Sequence, residues 1–215
     1  METKKEIILK YLINLIITNK KKPNDIMPSE AFLMQKFSIS RITAINAYKK
    51  LESIGAVYNI SKQGRFVAEN FFGLLKPFAS AMPVTSTKIK KENSQTPKWF
   101  SKFKIIFDHG FKKFKKEYLK DDEIIIVSEN YISKKYQIPE KFEDKFSFTN
   151  FFLEKGIDLK NTIYKLQYEK VNLWNHEYLV VVYSWTYDDE GIQLASKYIV
   201  KPEYFSFSHQ EKSLF

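Results

Sequence analysis

The chain has 215 residues and no cysteine, which excludes disulfides and thiolate metal sites and fits a reducing compartment. Hydrophobic residues at 44% and aromatics at 16% suffice for one large core or two small ones, which excludes a disordered chain. The formal charge is +10; residues 1–69 hold 12 Lys and Arg against 6 Asp and Glu, and the remainder 23 Lys against 19 acidic groups, so the basic first third points to a polyanionic partner.

The N-terminal stretch METKKEIILKYLINLIITNKKKP is basic with an apolar middle, yet Lys10 and Asn14 interrupt that middle and no small-residue cleavage site follows. No later run reaches the roughly 18 uncharged apolar residues of a membrane span, so a soluble cytoplasmic protein without a membrane partner is expected. Ile7, Ile8, Tyr11, Leu12, Leu15 and Ile16 recur at helical spacing and predict an amphipathic helix over residues 4–19. Lys20 to Asp25, with Pro23, ends it. In MPSEAFLMQKF, Ser29 caps a second helix, Glu30 suits its positive start, and Phe32, Leu33 and Phe37 form the buried face. Ser40 caps a third helix whose inward stripe is Ala44, Ala47, Tyr48, Leu51 and Ile54, closed by Gly55. Two short strands follow, Ala56 to Ile60 and Arg65 to Ala68, around the turn Ser61-Lys62-Gln63-Gly64.

Three helices and a hairpin make a winged helix-turn-helix. Arg41, Ile42, Thr43 and Asn46 then face a major groove, and Gln63, Gly64 and Arg65 form the wing tip. Of 35 basic side chains only Arg41 and Arg65 are arginine, the residue whose planar fork grips a guanine edge or a phosphate. Ser29 and Ser40 cap helices or position phosphates.

Residues 28–70 resemble the winged helix of GntR-family bacterial transcription regulators. Pro28-Ser29-Glu30, Ser40-Arg41, Thr43, Ala47, Leu51, Gly55, Gly64 and Phe66-Val67 match that family's pattern in order and spacing. Ala31 and Ile45 stand where the family often carries arginine, and Lys62 replaces the first glycine of the wing. Readout is therefore expected to lean on Arg41, Thr43 and contacts of Ile42 and Ile45 with thymine methyls, on an A·T-rich operator.

Beyond Asn70, residues 70–98 carry Pro77, Pro83 and Pro97 among many Ser and Thr and read as linker and loop. Strand-like runs follow at Lys102–Asp108, Phe111–Leu119, Glu123–Ile132, Thr162–Val171, Tyr178–Tyr187 and Ile192–Val200, with a short helix over 148–155 and a hairpin turn at Asp188–Gly191. This half is similar to the UTRA domain of the HutC-like GntR branch, best in YLVVVYSWTYDDEGIQLASKYIVKPEYFSF and more loosely in GLL at 73–75 and DDEIIIVSENYI at 121–132. The fold class expected is α+β: a winged helix-turn-helix over 1–69, then a mostly antiparallel, chorismate-lyase-like sheet domain over 99–215.

The resemblance implies a repressor that binds a palindromic double-stranded DNA operator as a homodimer and senses a small-molecule effector such as a sugar phosphate. No arginine follows residue 65, so Lys116, Lys197 and Lys201 take the anion-clasping positions, with Ser80, Tyr118 and Glu129 lining the pocket. His109, His176 and His209 lack metal-ligand spacing, and no Gly-rich phosphate loop or Gly-x-Ser-x-Gly elbow occurs. No catalytic residue, metal or cofactor is expected. The alternatives are a chorismate-lyase-like enzymatic second domain and a regulator whose pocket has closed.

Overall fold

Thr3 begins the first helix, α1 (Lys4–Ile17), through a capping box: its side chain accepts from the Glu6 amide at 3.2 Å while Glu6 accepts from the Thr3 amide at 2.7 Å. Ile8, Leu12 and Ile16 are its fully buried stripe. Ser29 caps α2 (Glu30–Phe37), accepting from the Phe32 amide at 3.1 Å, and Ser40 caps α3 (Arg41–Ser53), accepting from the Thr43 amide at 3.2 Å. Each cap satisfies an amide that the first helical turn leaves without a partner. Ala44, Ala47, Tyr48 and Leu51 turn inward from α3, and Gly55 leaves the helix at φ 71°, a conformation that a Cβ disfavours.

Strands β1 (Val57–Ile60) and β2 (Gly64–Val67) form the wing, with Val57 opposite Val67 and Ile60 opposite Gly64. The chain before α2 also pairs with β2: the Met27 amide donates to the Arg65 carbonyl at 2.8 Å and the Val67 amide to the Asp25 carbonyl at 3.0 Å. The wing is thus stitched to the helices by backbone as well as by the buried Val57, Val67 and Ala68. The three helices and the wing lie where the sequence predicts them.

The computed structural model describes residues 3–69, 82–157 and 159–207, and these fall into two compact units, the first holding residues 3–69 with Phe207 and the second spanning 82–206. Ser80, the GLL at 73–75 and most of the predicted linker lie outside the described residues. The second unit is a six-stranded, wholly antiparallel sheet. Its strands are β3 (Ser86–Glu92), β4 (Phe111–Lys120), β5 (Glu123–Ser133), β6 (Asn161–Leu173), β7 (His176–Tyr187) and β8 (Ile192–Val200), in the spatial order β3-β4-β5-β8-β7-β6. Two helices accompany it, α4 (Lys98–Phe103) and α5 (Phe148–Glu154).

Two expectations are corrected. Residues 86–92, placed in the linker, form strand β3 beside β4. STKIKKE has Ile89 as its one apolar side chain, because an edge strand tolerates lysines that a central strand would not, and so gives little hydrophobic signal. Residues 102–108, read as a strand, contain instead the end of α4 and an irregular segment begun by Lys104 at φ 54°. Trp99, Phe100 and Phe103 pack from one helical side onto Tyr131, Tyr183 and Trp185, so the aromatic spacing, not β propensity, decides the local structure.

Side chains alternate across the sheet, so each face has its own core. Tyr131, Ala195 and Trp185 lie abreast on β5, β8 and β7 and are covered by Trp99 and Phe100 of α4. Ile132 and Leu194, on the opposite face, are covered with Phe114 by Phe148, Phe151 and Phe152 of α5. The β4–β5 hairpin turns on Asp121 and Asp122, both at positive φ, as a tight hairpin requires. A β-bulge just before it, between Tyr118 and Leu119, decides which residues share a face.

Candidate nucleic-acid interface and ligand site

The start of α3 presents an exposed edge. Ile42 is 70% exposed, the Arg41 side chain is 74% exposed, and Asn46 is exposed one turn further on. Thr43 is half-buried, and its hydroxyl is 2.9 Å from the Ser40 hydroxyl. Ser29 and Ser40 are exposed as well as capping. On the wing, Gln63 is exposed beside Lys62 at φ 64° and Gly64 at φ 116°. A Cβ at Gly64 would lie 3.4 Å from the Ile26 side chain, so glycine serves both the turn and the close approach.

Arg65 is the exception. It was expected at the wing tip facing outward, but its side chain is only 18% exposed and turns back against the helices. Its Nε donates to Glu52 at 2.7 Å and its Nη1 to Glu30 at 2.9 Å, while the guanidinium lies 4.5 Å from the centre of the Tyr48 ring. Two carboxylates and a ring face outcompete solvent for a cation that stacks well and desolvates readily. Tyr48 in turn donates its hydroxyl to the Pro28 carbonyl. Glu30 also accepts from Arg41 Nε at 3.2 Å. Burial opposes the charged form of Glu30, but the hydrogen bonds from Arg65 and Arg41 prevail and hold it below the usual carboxylate range. The sequence marked Glu30 only as a helix-start charge; its second role rests on a contact across 35 residues that no local pattern announces.

The residues expected to hold a ligand do not converge. Lys116 and Tyr118 point to the α5 side of the sheet, where Lys116 is 4% exposed. Its ammonium donates to the Phe146 carbonyl and stands 4.3 Å over the Tyr118 ring. Burial lowers its pKa from the ordinary 10.5 to about 8. Around it lie groups the sequence reading missed. Asn130 donates to Ser128 at 2.8 Å, Ser196 donates to Asn130 at 2.9 Å, and the Ser128 hydroxyl reaches back to the Lys116 carbonyl at 3.5 Å. Tyr198 sits abreast of Ser128 on β8.

Glu129 and Lys197 are directly opposite one another but face α4. There they line a cleft of about 510 Å³ with Pro97, Lys98, Trp99, Lys102 and Tyr183. Glu129 is already bonded to Lys113 at 2.7 Å and to the Tyr131 hydroxyl at 3.1 Å. Lys201, beyond the end of β8, bridges Glu123 and Glu203 and belongs to neither group. The bulge explains the error: it pairs Lys116 with Ser128, whereas an unbroken ladder continued from Lys120–Glu123 would have brought Glu129 to the face of Lys116.

Among the described residues no group of His, Asp and Glu could hold a metal ion, and no helix is long and apolar enough to cross a membrane.

Residues 4–67 match the family model for bacterial regulatory proteins of the gntR family. A comparison with curated proteins finds no match. Among solved structures, the fold is similar to that of a possible transcriptional regulator, YydK, from Bacillus subtilis, at 18% identity and TM-score 0.65 over 98% of this chain and 100% of that one. PhnF from Mycobacterium smegmatis aligns at 11% identity and TM-score 0.51 over 95% of this chain and 99% of its own. The effector binding domain of the B. subtilis trehalose repressor TreR aligns at 13% identity and TM-score 0.50, over 60% of this chain and 99% of that domain.

Proposed function

We propose, from the match of residues 4–67 to the gntR-family model, that this chain is a cytoplasmic, ligand-responsive repressor of the HutC-like GntR kind, acting as a homodimer on a palindromic operator. The observation that carries the reading is Arg41: an exposed guanidinium at the first residue of α3, in a basic domain. A helix N-terminus reaches deepest into a major groove, and the arginine fork matches the O6 and N7 of guanine. Ile42, Thr43 and Asn46 extend the contact along α3, Ser29 and Ser40 meet phosphates, and Gln63 and Gly64 bring the wing to the backbone. Lysines supply affinity that falls with salt.

Residues 82–206 hold the effector in this proposal. The Lys116 face supports the assignment: a buried cation with no carboxylate against it among the described residues, bordered by the hydroxyls and amide of Ser128, Asn130 and Ser196, suits a small polar anion. Such an effector regulates only if it binds two dimer arrangements with different affinity. The family's regulatory role favours this over an enzymatic second domain.

Gel-shift titration of Arg41→Ala against the wild-type chain tests the DNA assignment, on a duplex that the wild-type chain selects from a randomised pool. Loss of a bidentate base contact, worth about 1–3 kcal/mol, weakens that duplex by roughly 5- to 150-fold and relaxes the base preference. Equal affinity with unchanged preference refutes the role.

A further inference from the structure

Both arginines of the chain converge on one carboxylate. Glu30 Oε2 accepts from Arg41 Nε at 3.2 Å and Glu30 Oε1 from Arg65 Nη1 at 2.9 Å, and Arg65 is itself fixed by Glu52 and the Tyr48 ring. We infer that Glu30 is a positioning residue that sets base selectivity: it holds the Arg41 guanidinium by its Nε edge and thereby aims the remaining Nη1/Nη2 edge at the bases. The inference rests on the DNA-reading role proposed for Arg41 and deepens it.

Three observations carry it. The bond to Arg41 is made at Nε, the nitrogen nearest the stem, and no other hydrogen bond ties this side chain to the described residues; both terminal nitrogens stay available for a bidentate contact. The carboxylate that makes the bond is itself anchored. Its second oxygen is bound by a guanidinium that is 18% exposed and held on three sides, so Glu30 cannot follow Arg41 if that side chain swings. Finally, Glu30 is the first residue of α2, where the helix start favours its negative charge, and it remains ionised because Arg65 and Arg41 both stabilise that form. A long side chain at 74% exposure would otherwise spread over many rotamers. Ordering it before the encounter removes part of that entropy from the binding step.

This arrangement also gives Arg65 a part in recognition without contact. It sits in the wing opposite Asn59 and reaches Arg41 only through Glu30, so its loss frees the carboxylate to wander.

The test compares the full-length wild-type chain with Arg41→Ala, Glu30→Gln and the double variant, on the selected duplex, on single-base variants of it and on an unrelated duplex. Glu30→Gln keeps the shape of the side chain. The inference expects it to lower discrimination by roughly three- to tenfold, a fraction of what a whole bidentate contact supplies, at the base positions that Arg41→Ala also relaxes. Affinity for the unrelated duplex holds or rises, since a negative charge has gone, and the double variant is no worse than Arg41→Ala alone. A purely structural role reads differently: weaker binding to all duplexes by one factor with the preference intact, and this outcome overturns the inference. If Arg41→Ala relaxes the preference while Glu30→Gln does not, the positioning role falls and the reading of Arg41 stands. If Arg41→Ala relaxes nothing, the DNA-reading role falls and the inference with it. Arg65→Lys is the second variant: its single ammonium cannot bridge Glu30 and Glu52 as the fork does, and it should reproduce the loss at the same positions.

Discussion

Replacing Lys116 by methionine should make the protein more stable at neutral pH. The residue is 4% exposed, its ammonium has the Phe146 carbonyl as its one hydrogen-bond acceptor among the described residues, and it lies over the Tyr118 ring. Burial is the cause of its low pKa, about 8 against an ordinary 10.5. At 1.36 kcal/mol per pH unit, keeping this charge in the fold costs about 3 kcal/mol at pH 7. The sign follows from proton counting. Between pH 8 and 10.5 the unfolded chain binds the proton that the folded chain has released, so folded stability rises with pH across that window, and below pH 8 the full cost remains. Urea unfolding of the wild-type chain and Lys116→Met at pH 7 and pH 10 isolates the effect, because other titrating groups cancel in the difference. Tyr118 and Tyr198 stay protonated in that range, since burial raises both above their ordinary value. The expected result is a gap favouring the variant at pH 7 that shrinks by about 2–3 kcal/mol by pH 10. A gap that does not change with pH, or a variant less stable at pH 7, would show that the ammonium is not an uncompensated buried charge.

Two further outcomes concern stability in each unit. Tyr48→Phe removes the hydroxyl that satisfies the Pro28 carbonyl beneath α3 while keeping the ring under Arg65; it should cost the first unit about 1–2 kcal/mol in urea unfolding, and an unchanged midpoint would count against the hydrogen bond. Asp188 organises the β7–β8 turn, accepting from the Glu190 amide at 2.7 Å, the Gly191 amide at 3.0 Å and the Gln193 side chain at 3.0 Å. Burial works to raise its pKa, yet these bonds and one from Tyr136 hold it below the ordinary 3.8. The stability it lends is therefore complete above the unfolded value and disappears as pH falls through the lower folded one. Acid unfolding followed by tryptophan fluorescence should lose part of its pH dependence below about pH 4 in Asp188→Asn, and identical acid profiles would refute the role.

The first unit could be read from the sequence because its signals are local. Ser29 and Ser40 cap the helices they were expected to cap, Ala44, Ala47, Tyr48 and Leu51 turn inward at helical spacing, and Gly55 ends α3. What the sequence did not disclose was the direction of Arg65, which depends on Glu30 and Glu52, 35 and 13 residues away. The second unit shows the same division. The central strands, with their apolar runs, were placed to within one or two residues, and Ile192–Val200 was placed at both ends. Edge strand β3 and helix α4 were missed, one for lack of apolar residues and the other because its last two residues, Lys102 and Phe103, run on into Ile105, Ile106 and Phe107 and read with them as a strand. For the ligand site the difficulty was parity. Lys116, Tyr118, Glu129 and Lys197 were grouped by the positions that the family resemblance assigns, and one bulged residue sends the last two to the opposite face.

That bulge also shows how much of a sheet's charge pattern a single residue decides. Ile125 is the residue of β5 left over where Leu119 meets Ile124 and Tyr118 meets Ile126. Taken into the ladder without a bulge, it would slip every later residue of β5 by one, pair Lys116 with Val127, and carry Glu129 to the face of that buried ammonium. One residue of slack in the backbone thus keeps a cation and a carboxylate on opposite sides of the sheet.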